Sequence, residues 1–141
     1  MIKKIYIAGP LFNVHEKKYL EEIAEVLEGA DFDCFLPHRD QTGIDPEELK
    51  NNEMSQETKD IIFQTDIEAL KEADLIVALV TGQDIDSGTA SEIGFMYANN
   101  KPVIAITAEE RRYRNLFTAG MFTKTVHNIQ EVLSSVEQFN S

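Results

Sequence analysis

Six apolar residues in a row, Leu75-Ile-Val-Ala-Leu-Val80, constrain this chain more than any other stretch. The run is short, rich in branched side chains and closed by Thr81-Gly82, so it reads as a buried strand. A loop holding two acids, Asp84 and Asp86, then turns through Ser87-Gly88 into a helix expected over residues 89–99. On that helix Ala90, Ile93, Gly94 and Tyr97 recur at three- and four-residue spacing and define an inward face. Glu92 then falls in the first turn, where unpaired backbone N–H groups keep a carboxylate ionised and available as a nucleophile. Thr89-Ala-Ser-Glu92 also fits a capping box, in which Thr89 bonds the N–H three residues on and Glu92 bonds back. The two roles are compatible.

The rest of the chain repeats this strand-then-helix grammar. Residues 3–8 read as a first strand, broken by Gly9-Pro10. Over residues 15–28, Tyr19, Ile23, Val26 and Leu27 share one face of a helix that Gly29 is expected to stop. A second strand over residues 33–36 ends before Pro37. Residues 37–54 are polar and irregular, with room for a short helix near residues 47–51, and so long a loop is more often functional than not. A helix over residues 56–73 leads into the Leu75 strand. Beyond residue 99 the pattern predicts a strand over 103–107, a short helix near 116–121, a strand over 125–127 and a helix over 129–139. The expectation is an α/β fold forming a single domain over residues 1–141. Its core would be an open, mainly parallel five-stranded sheet with helices on both faces, of the flavodoxin or Rossmann kind. Ligands of such sheets bind beyond the carboxyl ends of the strands. Residues 9–13, the segment from Pro37 onward, residues 81–92 and residues 108–115 are the candidate segments there.

Charge and composition narrow the function. A formal net charge of -12 over 141 residues argues against nucleic acid and against an anionic membrane as partners. The one cysteine, Cys34, excludes an internal disulfide and reads as a buried, inert thiol. No apolar run reaches membrane-spanning length and the start, Met1-Ile-Lys-Lys, lacks a signal peptide's apolar region, so a cytoplasmic protein is expected. Neither a dinucleotide-binding nor a P-loop glycine pattern occurs. His15, His38 and His127 are scattered, and no metal or other cofactor is expected.

What remains is a set of carboxylates, Asp66, Asp74, Asp84, Asp86 and Glu92. Paired acids suit cleavage at a sugar's anomeric carbon, where one carboxylate meets an oxocarbenium-like centre and another group handles the leaving-group proton. Asp74 and Asp84 read as turn residues. For Asp66 and Asp86 the pattern weighs evenly between a structural role, as a solvated helix residue and a turn former respectively, and a chemical one. Tyr6, on the first strand, is core by position, with a hydroxyl that could orient Glu92 from the neighbouring strand.

Taken together, Ile5-Tyr-Ile-Ala-Gly-Pro-Leu-Phe12, Asp66 leading into Ala73-Asp74-Leu-Ile-Val77, Asp86-Ser-Gly-Thr-Ala-Ser-Glu-Ile-Gly-Phe-Met-Tyr-Ala98, Lys101-Pro-Val-Ile104 and Arg114-Asn-Leu-Phe117 resemble the nucleoside 2-deoxyribosyltransferase family. The resemblance implies that Glu92 attacks the anomeric carbon of a 2-deoxyribonucleoside to give a covalent deoxyribosyl-enzyme, which a second base, or more slowly water, resolves. It implies that Tyr6 hydrogen-bonds Glu92 and that Asp66 and Asp86 meet the base or sugar and assist its protonation. Gly9, Phe12, Gly88, Asn115 and Phe117 would contact the substrate, with Asn115 reaching the sugar's 5′-hydroxyl from a neighbouring subunit. The partners it implies are deoxynucleosides, free nucleobases and further copies of the chain, as a dimer or a multiple of dimers. Phe117 stands where several relatives carry Met, and the tail Gln138-Phe-Asn-Ser141 lacks the aromatic C-terminus of some members.

Two other readings fit parts of the pattern. A hydrolase of 2-deoxynucleoside 5′-monophosphates would need a phosphate pocket, for which Ser87, Ser91, Arg111, Arg112 and Arg114 are the candidates. A non-catalytic nucleotide-binding module would need the pocket but not the carboxylates.

Overall fold

The computed structural model describes residues 1–50, 53–82, 84–108 and 115–141. Five strands, β1 (Lys4–Ala8), β2 (Asp33–Phe35), β3 (Leu75–Leu79), β4 (Val103–Ile106) and β5 (Lys124–Val126), form one sheet in the order β2-β1-β3-β4-β5. Every pairing is parallel. The helices are α1 (Val14–Gly29), α2 (Pro37–Asp40), α3 (Gln56–Glu72), α4 (Ser87–Ala98), α5 (Leu116–Ala119) and α6 (Ile129–Phe139), with a 3₁₀ turn at Glu48–Lys50. β1 has β2 on one side and β3 on the other, so the direction of winding reverses between β1 and β3. A crevice opens at such a point.

Alternate strand residues feed two cores. Ile5 and Ile7 of β1, Leu75, Val77 and Leu79 of β3, and Ile104 and Ile106 of β4 pack with Leu20, Ile23 and Leu27 of α1 and Val132 and Val136 of α6. Tyr6 and Ala8, Ile76 and Ala78, and Val103 and Ala105 face the other way, toward Leu70 of α3 and Ile93 and Met96 of α4. On this second face Ala8 pairs with Ala78, and Ala78 with Ala105, so three methyl groups lie in a row across three central strands. β3 is buried throughout, as its uninterrupted apolar run requires.

Side-chain caps set the helix starts. Asn13, Ser55, Asp86, Asn115 and Asn128 each accept a backbone N–H from the first turn of α1, α3, α4, α5 and α6 respectively. Two expectations are corrected at helix ends. α1 does end at Gly29, but Gly29 is its last helical residue and the left-handed residue that releases the chain is Asp31 at φ 70°; Asp tolerates that region because its short polar side chain can bond locally. The segment after β2, expected to be irregular until residue 47, begins with α2. Pro37 opens it with φ preset for a helix, and the Asp40 carboxylate accepts the Leu36 N–H at 2.8 Å.

Among the described residues, no helix is long and apolar enough to cross a membrane. The Cys34 thiol is buried, and burial, followed by the charge of Glu28, pushes its pKa up to about 12. Asp74 sits at the opposite end of the sheet from the crevice, where its Oδ2 accepts the Lys3 and Lys4 N–H groups at 2.9 Å each.

Candidate active site

A cleft of about 560 Å³ occupies the carboxyl ends of β1 and β3, a volume suited to a small organic ligand. It is lined by Ile7, Gly9, Leu11 and Phe12, at and just beyond the end of β1, and by Pro37. α3 contributes Phe63, Asp66, Ile67 and Leu70; α4 contributes its cap Asp86 with Gly88, Ser91, Glu92 and Phe95. Space is tight at Gly9: a Cβ there would lie 2.8 Å from Leu20 Cδ2 and 3.1 Å from Leu79 Cβ. A side chain at this position would have to displace the Leu20 tip and press on Leu79.

Three of the five carboxylates singled out in the sequence converge here: Asp66, Asp86 and Glu92. Asp74 is at the other end of the sheet, and Asp84 is exposed and does not line the cleft. Tyr6 lies behind the cleft wall, fully buried and stacked on Phe35 with ring centroids 5.4 Å apart. Its hydroxyl donates to Glu92 Oε2. Burial first, and then the charge of Glu92, raise the Tyr6 phenol far above its ordinary range, so it remains a donor at every physiological pH.

The reason expected for an ionised Glu92 does not hold. α4 starts at Ser87 rather than near Thr89, with Asp86 as its cap: Asp86 Oδ2 accepts both the Thr89 N–H at 3.2 Å and the Thr89 hydroxyl at 3.1 Å. Thr89 is therefore a capped residue and not the cap, and no Thr89–Glu92 capping box forms. Glu92 sits in the second turn, and the favourable field of a helix start fades beyond the first. Burial dominates instead and lifts its pKa to about 7; the Tyr6 hydrogen bond works against that rise, while the charges of Asp66 and Asp86 add to it. The inward face of α4 is also shifted: Thr89, Ile93 and Met96 are buried, whereas Tyr97 is 56% exposed.

Asp66 is raised to about 6, chiefly by burial, with a Gln41 hydrogen bond pulling it down. Gln41 Nε2 donates to Asp66 Oδ1 at 2.7 Å. Gln41 belongs to the segment from Pro37 onward that was expected beyond the carboxyl ends of the strands; its bond to Asp66 was not foreseen. The aromatic walls Phe63 and Phe95 were missed as well, because their spacing reads as ordinary helix core.

Of the residues expected to contact substrate, Gly9, Phe12 and Gly88 line the cleft. Asn115 and Phe117 do not. Asn115 is exposed and its Oδ1 accepts the Phe117 and Thr118 N–H groups, while Phe117 is 78% exposed on α5. For the phosphate-pocket candidates, Ser91 lines the cleft and donates to the Ser87 carbonyl at 2.8 Å, and Ser87 is exposed at the start of α4. Arg111, Arg112 and Arg114 lie outside the described residues, as does most of the 108–115 segment. Among the described residues, the cleft is lined by three carboxylates and no Lys, Arg or His, and no group of three or more His, Cys, Asp or Glu side chains is placed to hold a metal ion.

Solved structures similar to this one include that of a conserved protein from Enterococcus faecalis V583, 28% identical, with a TM-score of 0.79 and 98% of this chain and 99% of that one covered. A 2-deoxyribosyltransferase from the psychrotolerant bacterium Bacillus psychrosaccharolyticus is 27% identical, with a TM-score of 0.78 over 92% of this chain and 90% of that one. A CMP N-glycosidase from Clostridium botulinum shares the fold at 22% identity and a TM-score of 0.62, over 96% of this chain and 99% of that one. No curated protein sequence matches the chain. A family model described as nucleoside 2-deoxyribosyltransferase matches residues 5–139, and the chain belongs to that family.

Proposed function

We propose that residues 1–141 act as one deoxyribosyltransferase domain that moves a 2-deoxyribosyl group between nucleobases through an ester on Glu92, with slow hydrolysis as a side reaction. The observation that carries this reading is the buried Tyr6 hydroxyl donating to one oxygen of Glu92 in a cleft shared with Asp66 and Asp86. Tyr6 holds Oε2, which leaves Oε1 to attack the anomeric carbon. Asp66, with a pKa near 6, keeps a useful fraction of its carboxyl protonated close to neutral pH and gives that proton to the departing base. Asp86 has one oxygen engaged in capping α4 and offers the other to base or sugar. Gly9, Phe12 and Gly88 contact the nucleoside directly. Asn115, the exposed cap of α5, and Phe117, exposed on that helix, complete the pocket of a neighbouring copy in a homo-oligomer.

Chromatography of the protein with thymidine or 2′-deoxyinosine plus free adenine or cytosine tests the reading. A new deoxynucleoside that needs both donor and acceptor is the expected product. Release of base from deoxynucleoside monophosphates alone would assign hydrolysis of phosphorylated substrates instead. The acid-lined cleft argues against that outcome, since a phosphate would meet like charge.

A further inference from the structure

The polar lining of the cleft is made of acids, and its apolar lining is aromatic at three points. Asp66, Asp86 and Glu92 supply up to three negative charges, while the rings of Phe12, Phe63 and Phe95 border the same space. Phe12 and Phe63 are 78% and 65% exposed, so their faces are open to a ligand. Carboxylates attract a cation by Coulomb's law, and an aromatic face attracts a cationic ring through its quadrupole. The charges and the rings therefore favour the same kind of heterocycle.

Resting on the transferase reading above, we propose that the cleft also takes 2-deoxyribosides of permanently cationic bases, such as N7-alkylated purines, and cleaves them in preference to their neutral counterparts. The chemistry balances without a proton donor. The C1′–N bond breaks, its electron pair stays on the ring nitrogen and cancels the positive charge, and Glu92 Oε1 supplies the pair for the new bond to C1′. A neutral base leaves and a neutral ester remains. The general acid that a neutral base requires is not used. The reverse step would have to turn a neutral base back into a cationic glycoside, so the equilibrium for such donors lies toward transfer.

The test compares wild-type protein acting on 7-methyl-2′-deoxyguanosine and on 2′-deoxyguanosine, both with free adenine, at a pH of about 7 and with spontaneous base loss subtracted. We expect kcat/KM to be at least about tenfold higher for the methylated donor, and Asp66→Asn to cut turnover of the unmethylated donor by about a hundredfold or more while changing kcat for the methylated one by less than about tenfold. Equal or slower use of the methylated donor, with the unmethylated one turned over normally, would overturn the proposal and leave the transferase reading standing. Consumption of neither donor would overturn both.

Discussion

Glu92 carries a stability cost that its replacement should reveal. Its carboxyl is shifted from an ordinary value of 4.5 to about 7 by burial, so the folded protein binds its proton more tightly than the unfolded chain does. A raised carboxyl pKa contributes nothing unfavourable below about pH 4.5, removes stability as pH climbs from there to about 7, and changes little above that. The displacement converts to about 3 kcal/mol lost by pH 8, against about 1 kcal/mol already lost at pH 5. Glu92→Gln keeps the shape and cannot ionise. Urea denaturation of the two proteins at pH 5 and pH 8 should therefore show the variant gaining on the wild type by about 2 kcal/mol across the interval. Titrations of groups remote from Glu92 are common to both proteins and cancel in the difference, while Asp66 and Asp86, whose charges add to the Glu92 shift, are relieved in the variant and widen the gap in the same direction. A gap that stays constant or narrows as pH rises would refute the claim that burial governs this carboxyl.

Tyr6→Phe removes the hydrogen bond that lowers the Glu92 pKa, so the ionisation that limits activity on the acid side should move above about 7 in the pH–rate profile, with kcat reduced by about ten- to a hundredfold. Gly9→Ala should cost about 1–3 kcal/mol in denaturant unfolding, since the new methyl meets Leu20 and the fixed Cβ of Leu79. Gln41→Leu withdraws the donor that holds Asp66 down, so NMR titration of the Asp66 carboxyl should show its pKa rising above about 6.

The order and type of the main elements were legible because the pattern changes period at each boundary, from the unbroken apolar run of β3 to the three- and four-residue spacing of α1. The nearness of Asp86 to Glu92 was also legible, since the two flank one strand-to-helix turn; Asp66, on the helix that leads into the same strand, was brought to them by the family resemblance and not by its spacing. The start of α4 was not legible. Asp86-Ser-Gly-Thr89 and Thr89-Ala-Ser-Glu92 are overlapping capping patterns three residues apart, and spacing alone does not choose between them. The first prevails in the fold because the Asp86 carboxylate takes two donors from Thr89 at once. The bond from Gln41 to Asp66 was hidden for a different reason: it spans 25 positions and depends on how α2 directs the chain back toward α3. The inward side of α4 was misjudged at Tyr97 because an exposed aromatic at helical spacing looks like core until the packing is known.

The row formed by Ala8, Ala78 and Ala105 acts as a spacer of fixed thickness between the sheet and α4. Tyr6 belongs to the sheet and Glu92 to the helix, so that thickness sets the gap their hydrogen bond has to bridge. Valine at position 78 would shim the helix outward with two extra methyl groups, stretching the bond while leaving every residue that lines the cleft unchanged. The reactivity of the carboxylate is thus adjustable from beneath by side chains that never meet a substrate, and a lineage could tune it without altering what the cleft recognises.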